Sequence, residues 1–186
     1  DASTGSSQEW IRGKYLANAL GHCTECHTPR GVVGQLKLGE TLQGGDLGDV
    51  HAVDITPKQL AARGWTAADL QQFLALGIAP QGSAYSEMYD VVHNSTQHLT
   101  APDNKALVQY LTGDTPLAPM ALPIRTPAEN PGADKVVAAG RPLYLALCAG
   151  CHSANGQGKP NVTVALHGNS TIRNAQAHNL IHVILA

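Results

Sequence analysis

Cys23-Thr-Glu-Cys26-His27 and Cys148-Ala-Gly-Cys151-His152 decide how this chain is read. Both are C-x-x-C-H, and together they use all 4 cysteines. The spacing has a chemical logic. Two sulfurs three residues apart at a helix end reach the two vinyl groups of one porphyrin as thioethers. The histidine that follows is then held under the iron as its proximal ligand. A four-cysteine zinc site would need neither histidine, and more than a hundred residues between pairs is long for a zinc knuckle. A thioredoxin-like motif wants a βαβ setting, which the pattern does not offer. A disulfide between residues three apart is a poor staple. The expectation is two covalently bound haem c groups, on Cys23, Cys26 and His27 and on Cys148, Cys151 and His152. Such thioethers form outside the bacterial inner membrane, so the expected address is the periplasm.

The bulk properties agree. The chain has 186 residues, a formal net charge of −2, only 4% aromatic residues and a single Phe. That charge offers no basic field for nucleic acid. So few large side chains make a thin core, which a flat apolar prosthetic group can complete. No apolar run is long enough to span a membrane, and residues 1–7 lack the basic-then-apolar pattern of a signal peptide.

Outward from the motifs, five prolines (Pro116, Pro119, Pro123, Pro127 and Pro131) punctuate residues 114–133. Proline at this density forbids helix and favours an extended strap. The chain is expected to divide into a first domain over 8–113, a Pro-rich linker over 114–133 and a second domain over 134–186. Helical stretches precede both motifs: Trp10 to Leu20, with Gly13 and Tyr15, and Gly140 to Leu147, with Gly140 and Tyr144 on one face. A glycine there lets another helix cross closely. Thr66-Ala-Ala-Asp69 reads as a capping-box-like start, followed by Leu70, Phe73 and Leu74 at helical spacing. Thr100-Ala-Pro-Asp103 starts another helix, with Leu107, Val108 and Leu111 on its apolar face and Gly113 at its end. The expected fold is all-α, two tandem haem domains with long loops, the second incomplete at the C-terminus.

A low-spin electron-transfer haem takes a sixth ligand, typically Met. Met88 lies in a stretch read as a loop between the second and last helices of the first domain and is the expected ligand of the first haem iron; His93 and His98 are its rivals. No Met follows His152. Met120 in the linker, and His167, His178 and His182, are the remaining distal candidates for the second iron. Truncation after Ala186 would explain the missing Met; a His-ligated or open second haem is the alternative. Arg30 and Lys37 could neutralise propionates but read better as surface charges. Trp65 reads as packing, and His22 and His51 receive no role.

Four further stretches carry a resemblance: Gly13 to Ala17 (GKYLA); Asp54 to Pro57 (DITP) with Gly64 to Thr66 (GWT); Met88 to Thr100; and Gly156 to Val162 (GQGKPNV) with Ala165 to Ser170 (ALHGNS). With the two C-x-x-C-H motifs, they make the chain resemble class I c-type cytochromes. More narrowly it is similar to the cytochrome c subunits of bacterial periplasmic alcohol, gluconate and aldehyde dehydrogenases. The resemblance implies two tandem class I cytochrome c domains, with Cys23, Cys26, His27 and Met88 on the first haem and Cys148, Cys151 and His152 on the second. It implies a periplasmic dihaem carrier taking electrons from a dehydrogenase and passing them to a terminal oxidase or another cytochrome. It implies no catalytic role, and attachment to the inner membrane only through a partner or a further tail. Such subunits commonly carry three motifs, so a free-standing dihaem carrier fits equally. The competing function is a dihaem redox enzyme, of peroxidase or thiosulfate-dehydrogenase type, with an open second haem.

Overall fold

A computed structural model of the chain describes residues 7–114, 118, 133–159, 162–174 and 176–185. Most of the Pro-rich 114–133 stretch, including Met120, lies outside the described residues. The N-terminal segment runs α1 (Gln8–Tyr15), a π-helical turn (Leu16–Leu20), α2 (Cys23–His27), β1 (Gly45–Asp46), β2 (His51–Ala52), α3 (Pro57–Ala62), α4 (Ala67–Leu76), β3 (Ile78–Ala79), β4 (Gly82–Ser83), α5 (Glu87–Asn94) and α6 (Ala101–Thr112). The C-terminal segment holds α7 (Ala133–Leu147), α8 (Ala149–His152) and α9 (His178–Leu185). The expectation of a helical protein holds. Strand is confined, among the described residues, to two antiparallel two-residue ribbons, β1–β2 and β3–β4.

The helix starts follow local chemistry. Ser7 caps α1 by accepting from the Trp10 N–H at 3.1 Å. Thr66 and Asp69 form a reciprocal capping box on α4. Thr100 caps α6, with Pro102 in the first turn, where its missing N–H costs nothing. The stretch read as one helix over Trp10 to Leu20 is two. Its last five residues widen into a π turn that ends on Gly21, with the Gly21 N–H on the Leu16 carbonyl at 2.7 Å.

The crossing of α1 and α6 organises the N-terminal segment. A Cβ on Gly13 would sit 1.9 Å from the Ala106 carbonyl oxygen, so only glycine admits this approach. Around the crossing, the Trp10 and Tyr110 rings meet edge to face at 5.3 Å. Arg12 grips Asp103 with two bonds of 2.8 and 3.0 Å. The core beneath contains Leu16, Leu60, Leu70, Leu74, Leu107 and Leu111.

Every buried hydrophobic side chain among the described residues lies at or before Leu111. In the C-terminal segment α7 and α9 leave Val136, Leu143, Leu147, Ile184 and Leu185 exposed. Gly140, the counterpart of Gly13, has nothing within 4 Å of its would-be Cβ among the described residues. Among the described residues the parallel between the two glycines therefore stops at the sequence: Gly13 receives a crossing helix and Gly140 does not.

The two segments are joined at defined points. Asn179, buried at 3% exposure, accepts from the His51 N–H and donates to the His51 carbonyl, both at 2.7 Å. The Ser170 N–H donates to the Gln81 carbonyl at 2.6 Å, and His178 Nε2 donates to the Asp49 carbonyl at 3.0 Å.

Candidate functional site

α2 is a single turn that carries the whole first motif, placing Cys23, Cys26 and His27 on the wall of one apolar cavity of about 210 Å³. Leu70, Phe73 and Leu107 contribute apolar surface, and Met88 lines the same cavity. Met88 sits in the first turn of α5, where a loop was expected. The correction has a physical basis: Glu87 and Asp90 favour the positive end of a helix dipole there, a signal that the surrounding Gly, Ser and Tyr residues obscure. His93 and His98 are exposed, and His93 stacks on Tyr89 at 5.5 Å.

The His27 ring is oriented by its backbone. Nδ1 donates to the Val53 carbonyl at 2.7 Å, which leaves the Nε2 lone pair free to bind a metal. Burial pushes the imidazole pKa down, partly offset by the Val53 bond, and so favours the neutral form that a ligand needs. Burial likewise pushes the Cys23 thiol pKa up. Behind the motif the chain is tight: a Cβ on Gly45 would fall 2.2 Å from the Cys26 carbonyl oxygen.

The second motif repeats the key contact. His152 Nδ1 donates to the Val164 carbonyl at 3.0 Å, again leaving Nε2 free. The supporting loop is held by Tyr144, whose hydroxyl donates to the Ser153 carbonyl at 2.6 Å, and by Thr163, whose hydroxyl donates to the Cys151 carbonyl at 2.6 Å. Cys148 and His152 are half-buried and Cys151 is exposed. His167 is exposed, and His178 spends its Nε2 on Asp49. His182 borders a second cleft with Gly48, Asp49 and Ile181.

A haem fits the donor set of the first cavity. The wall carries two thiols and an imidazole with Nε2 free, a thioether lines the same space, and the remaining lining is largely apolar. Arg30 and Lys37 hold surface ion pairs, with Glu25 at 3.2 Å and Glu40 at 3.6 Å. The guanidinium at the cavity belongs to Arg63, which sequence reasoning passed over. It precedes Gly64-Trp65, and nothing in a lone arginine predicts that a fold will bury it. Trp65 packs edge to face on Phe73 at 5.3 Å, as expected of a packing residue. Ser170, Thr171 and Asn179 of the C-terminal segment also line this cavity, a long-range contribution with no sequence motif.

Comparison with known proteins agrees with this chemistry. Residues 137–185 match the family model described as Cytochrome c. The chain is 32% identical, over 96% of its length, to the fructose dehydrogenase cytochrome subunit of Gluconobacter japonicus, of which it covers 40%. It is 31% identical over 96% of its length to the cytochrome c subunit of the quinone alcohol dehydrogenase of Gluconobacter oxydans, of which it covers 40%. Over 78% of its length it is 30% identical to the gluconate 2-dehydrogenase cytochrome c subunit of Pantoea cypripedii, of which it covers 36%. The chain thus spans about two fifths of the length of the curated relatives it matches.

Proposed function

As a member of the cytochrome c family, this chain is, we propose, a dihaem electron carrier that works beside a dehydrogenase. The observation that carries the reading is the repeated motif with its repeated support: His27 and His152 each follow a C-x-x-C pair and each donate Nδ1–H to a carbonyl, Val53 or Val164. Cys23 and Cys26 would hold one haem, with His27 as a ligand to its iron; Cys148, Cys151 and His152 would hold the second. Met88, on the wall of the first cavity, would supply the other ligand to the first haem's iron.

A bound haem c supplies a one-electron couple at its iron. The protein residues set the conditions for it. Val53 and Val164 fix the tautomer and plane of each histidine and raise its basicity. The apolar lining disfavours added charge and keeps water away from the first iron, so little rearrangement accompanies electron transfer. A Met/His pair favours the ferrous state and a higher potential than bis-His ligation.

The chain is read as two cytochrome domains, over 8–113 and 134–186, with the Pro-rich 114–133 stretch between them. The names of the relatives, all cytochrome subunits of dehydrogenases in the three cases above, support a dehydrogenase as electron donor; the periplasmic address rests on the thioether chemistry of the two C-x-x-C-H motifs. The acceptor is read as a terminal oxidase or a further cytochrome. No helix among the described residues is long and apolar enough to cross a membrane. The competing enzyme reading is not favoured, because those relatives are named as cytochrome subunits of dehydrogenases.

The test is reductive titration of the haem-loaded protein followed by carbon monoxide. Two electrons per chain, with no peroxide turnover, are expected. Turnover of peroxide at a carbon monoxide-binding haem would displace the carrier reading.

A further inference from the structure

Arg63 places a guanidinium group on the wall of a cavity whose lining is otherwise mostly apolar. It borders the cavity beside Trp65, and its Nε is buried with no hydrogen-bond partner among the described residues. Its Nη2 donates to the Asp54 backbone carbonyl. The Asp54 carboxylate is engaged elsewhere, accepting from the Thr56 N–H at 2.8 Å and the Thr56 hydroxyl at 2.6 Å. A second arginine arrives from the other end of the chain: Arg173 Nη1 donates to the Arg63 carbonyl at 3.3 Å. Neither guanidinium has an ion pair among the described residues, where the pairs are Arg12–Asp103, Arg30–Glu25, Lys37–Glu40 and Lys105–Glu9. Burial depresses the Arg63 pKa; Asp54 opposes this and Arg173 adds to it.

Burying a cation with a free N–H, and bringing a second cation to it, is costly unless an anion lies between or beside them. Ser170 and Thr171 line the cavity and precede Arg173 by two or three positions, so the same loop presents hydroxyls to that space. Trp65 Nε1, aimed at the Ser170 hydroxyl at 3.5 Å, is only loosely bonded there and adds a further donor.

We infer that Arg63 and Arg173, one from each segment of the chain, form a clamp for a carboxylate of the first haem, so that the C-terminal segment completes the first haem's site. The inference rests on the dihaem reading above. The ligand class is a propionate-type carboxylate, which a planar guanidinium binds with two parallel bonds. The consequence is functional. A cation held against that carboxylate raises the potential of the adjacent iron, since it disfavours the extra positive charge of the ferric state. The docking of one haem-bearing segment thereby sets the potential of the haem in the other.

The test is potentiometry on the full haem-loaded chain, with intact mass confirming two haems in each variant. Arg173→Gln and Arg63→Gln are each expected to lower the same one of the two midpoint potentials, and Arg173→Lys to lower it less than Arg173→Gln. Lys58→Gln, at an exposed position of α3, is the control for a generic charge effect. If Arg63→Gln fails to fold, Arg63→Lys replaces it, with a smaller shift of that same couple expected. The clamp is overturned if Arg173→Gln shifts neither couple, shifts a different couple from Arg63, or shifts it no more than Lys58→Gln does. A mass showing no covalent haem would remove the dihaem reading itself, and the clamp with it.

Discussion

Gly13 and Ala106 mark a backbone-to-backbone approach of α1 and α6: no side chain can stand between the α1 backbone and the Ala106 carbonyl, which a Cβ would meet at 1.9 Å. Gly13→Ala must therefore push the helices apart, at a cost of about 1–3 kcal/mol for overpacking. Gly140→Ala, where no described residue lies within 4 Å of the would-be Cβ, removes a flexible residue from a helix and should stabilise by about 0.5–1 kcal/mol. Urea unfolding of the two variants checks this opposition of sign.

Met88 lines the same cavity as His27. In the haem-loaded protein, Met88→Ala opens the first iron, and the ferrous form should take up one more carbon monoxide per chain than the parent. Met88→His should keep the iron six-coordinate and lower one midpoint potential, because imidazole favours the ferrous state less than a thioether does. An unchanged carbon monoxide stoichiometry and an unchanged potential would return the ligand role to another residue.

Much of the N-terminal segment was legible because its signals are local. Thr66 with Asp69, Thr100 with Pro102, and Gly113 each act within four residues, and each lies where the pattern put it. Gly13 was legible as a crossing point because only a close neighbour requires glycine on an otherwise ordinary helix. The π turn over Leu16–Leu20 was not, since its apolar residues suit either helical period. Met88 was assigned to a loop because glycine and serine dominate the residues before it, and the short helix α5 rests on tertiary contacts more than on propensity. Arg173 and Asn179 were invisible for a shared reason: their side-chain partners lie more than a hundred residues away, and no spacing encodes them.

Asn179 binds both backbone groups of His51 from the far end of the chain. Asn179→Ala leaves the half-buried N–H and C=O of His51 without that partner, at a cost of up to about 1 kcal/mol for each group. Amide exchange at His51 should accelerate strongly, while exchange in α6 stays slow. Equal acceleration in both would mean that the two segments unfold as one unit.

Asp103 carries the pH dependence of the α1–α6 crossing. Its bond to Arg12 holds the carboxyl below its ordinary value, so the folded pKa lies under the unfolded value of about 3.9. The resulting stabilisation is complete above that value and is lost as pH falls through the folded pKa. The difference in melting temperature between the parent and Asp103→Asn should therefore be present at neutral pH and shrink in acid. The pair is solvent-exposed, so added salt should shrink it too.

The central claim is two covalent haems on one chain, and intact mass under denaturing conditions tests it most directly, because thioether-bound haem survives such treatment. The expected mass is that of the polypeptide plus two haems, falling to one haem in Cys23→Ser/Cys26→Ser and, separately, in Cys148→Ser/Cys151→Ser. A mass carrying a single haem, unchanged by one of those double substitutions, or carrying none, would contradict it.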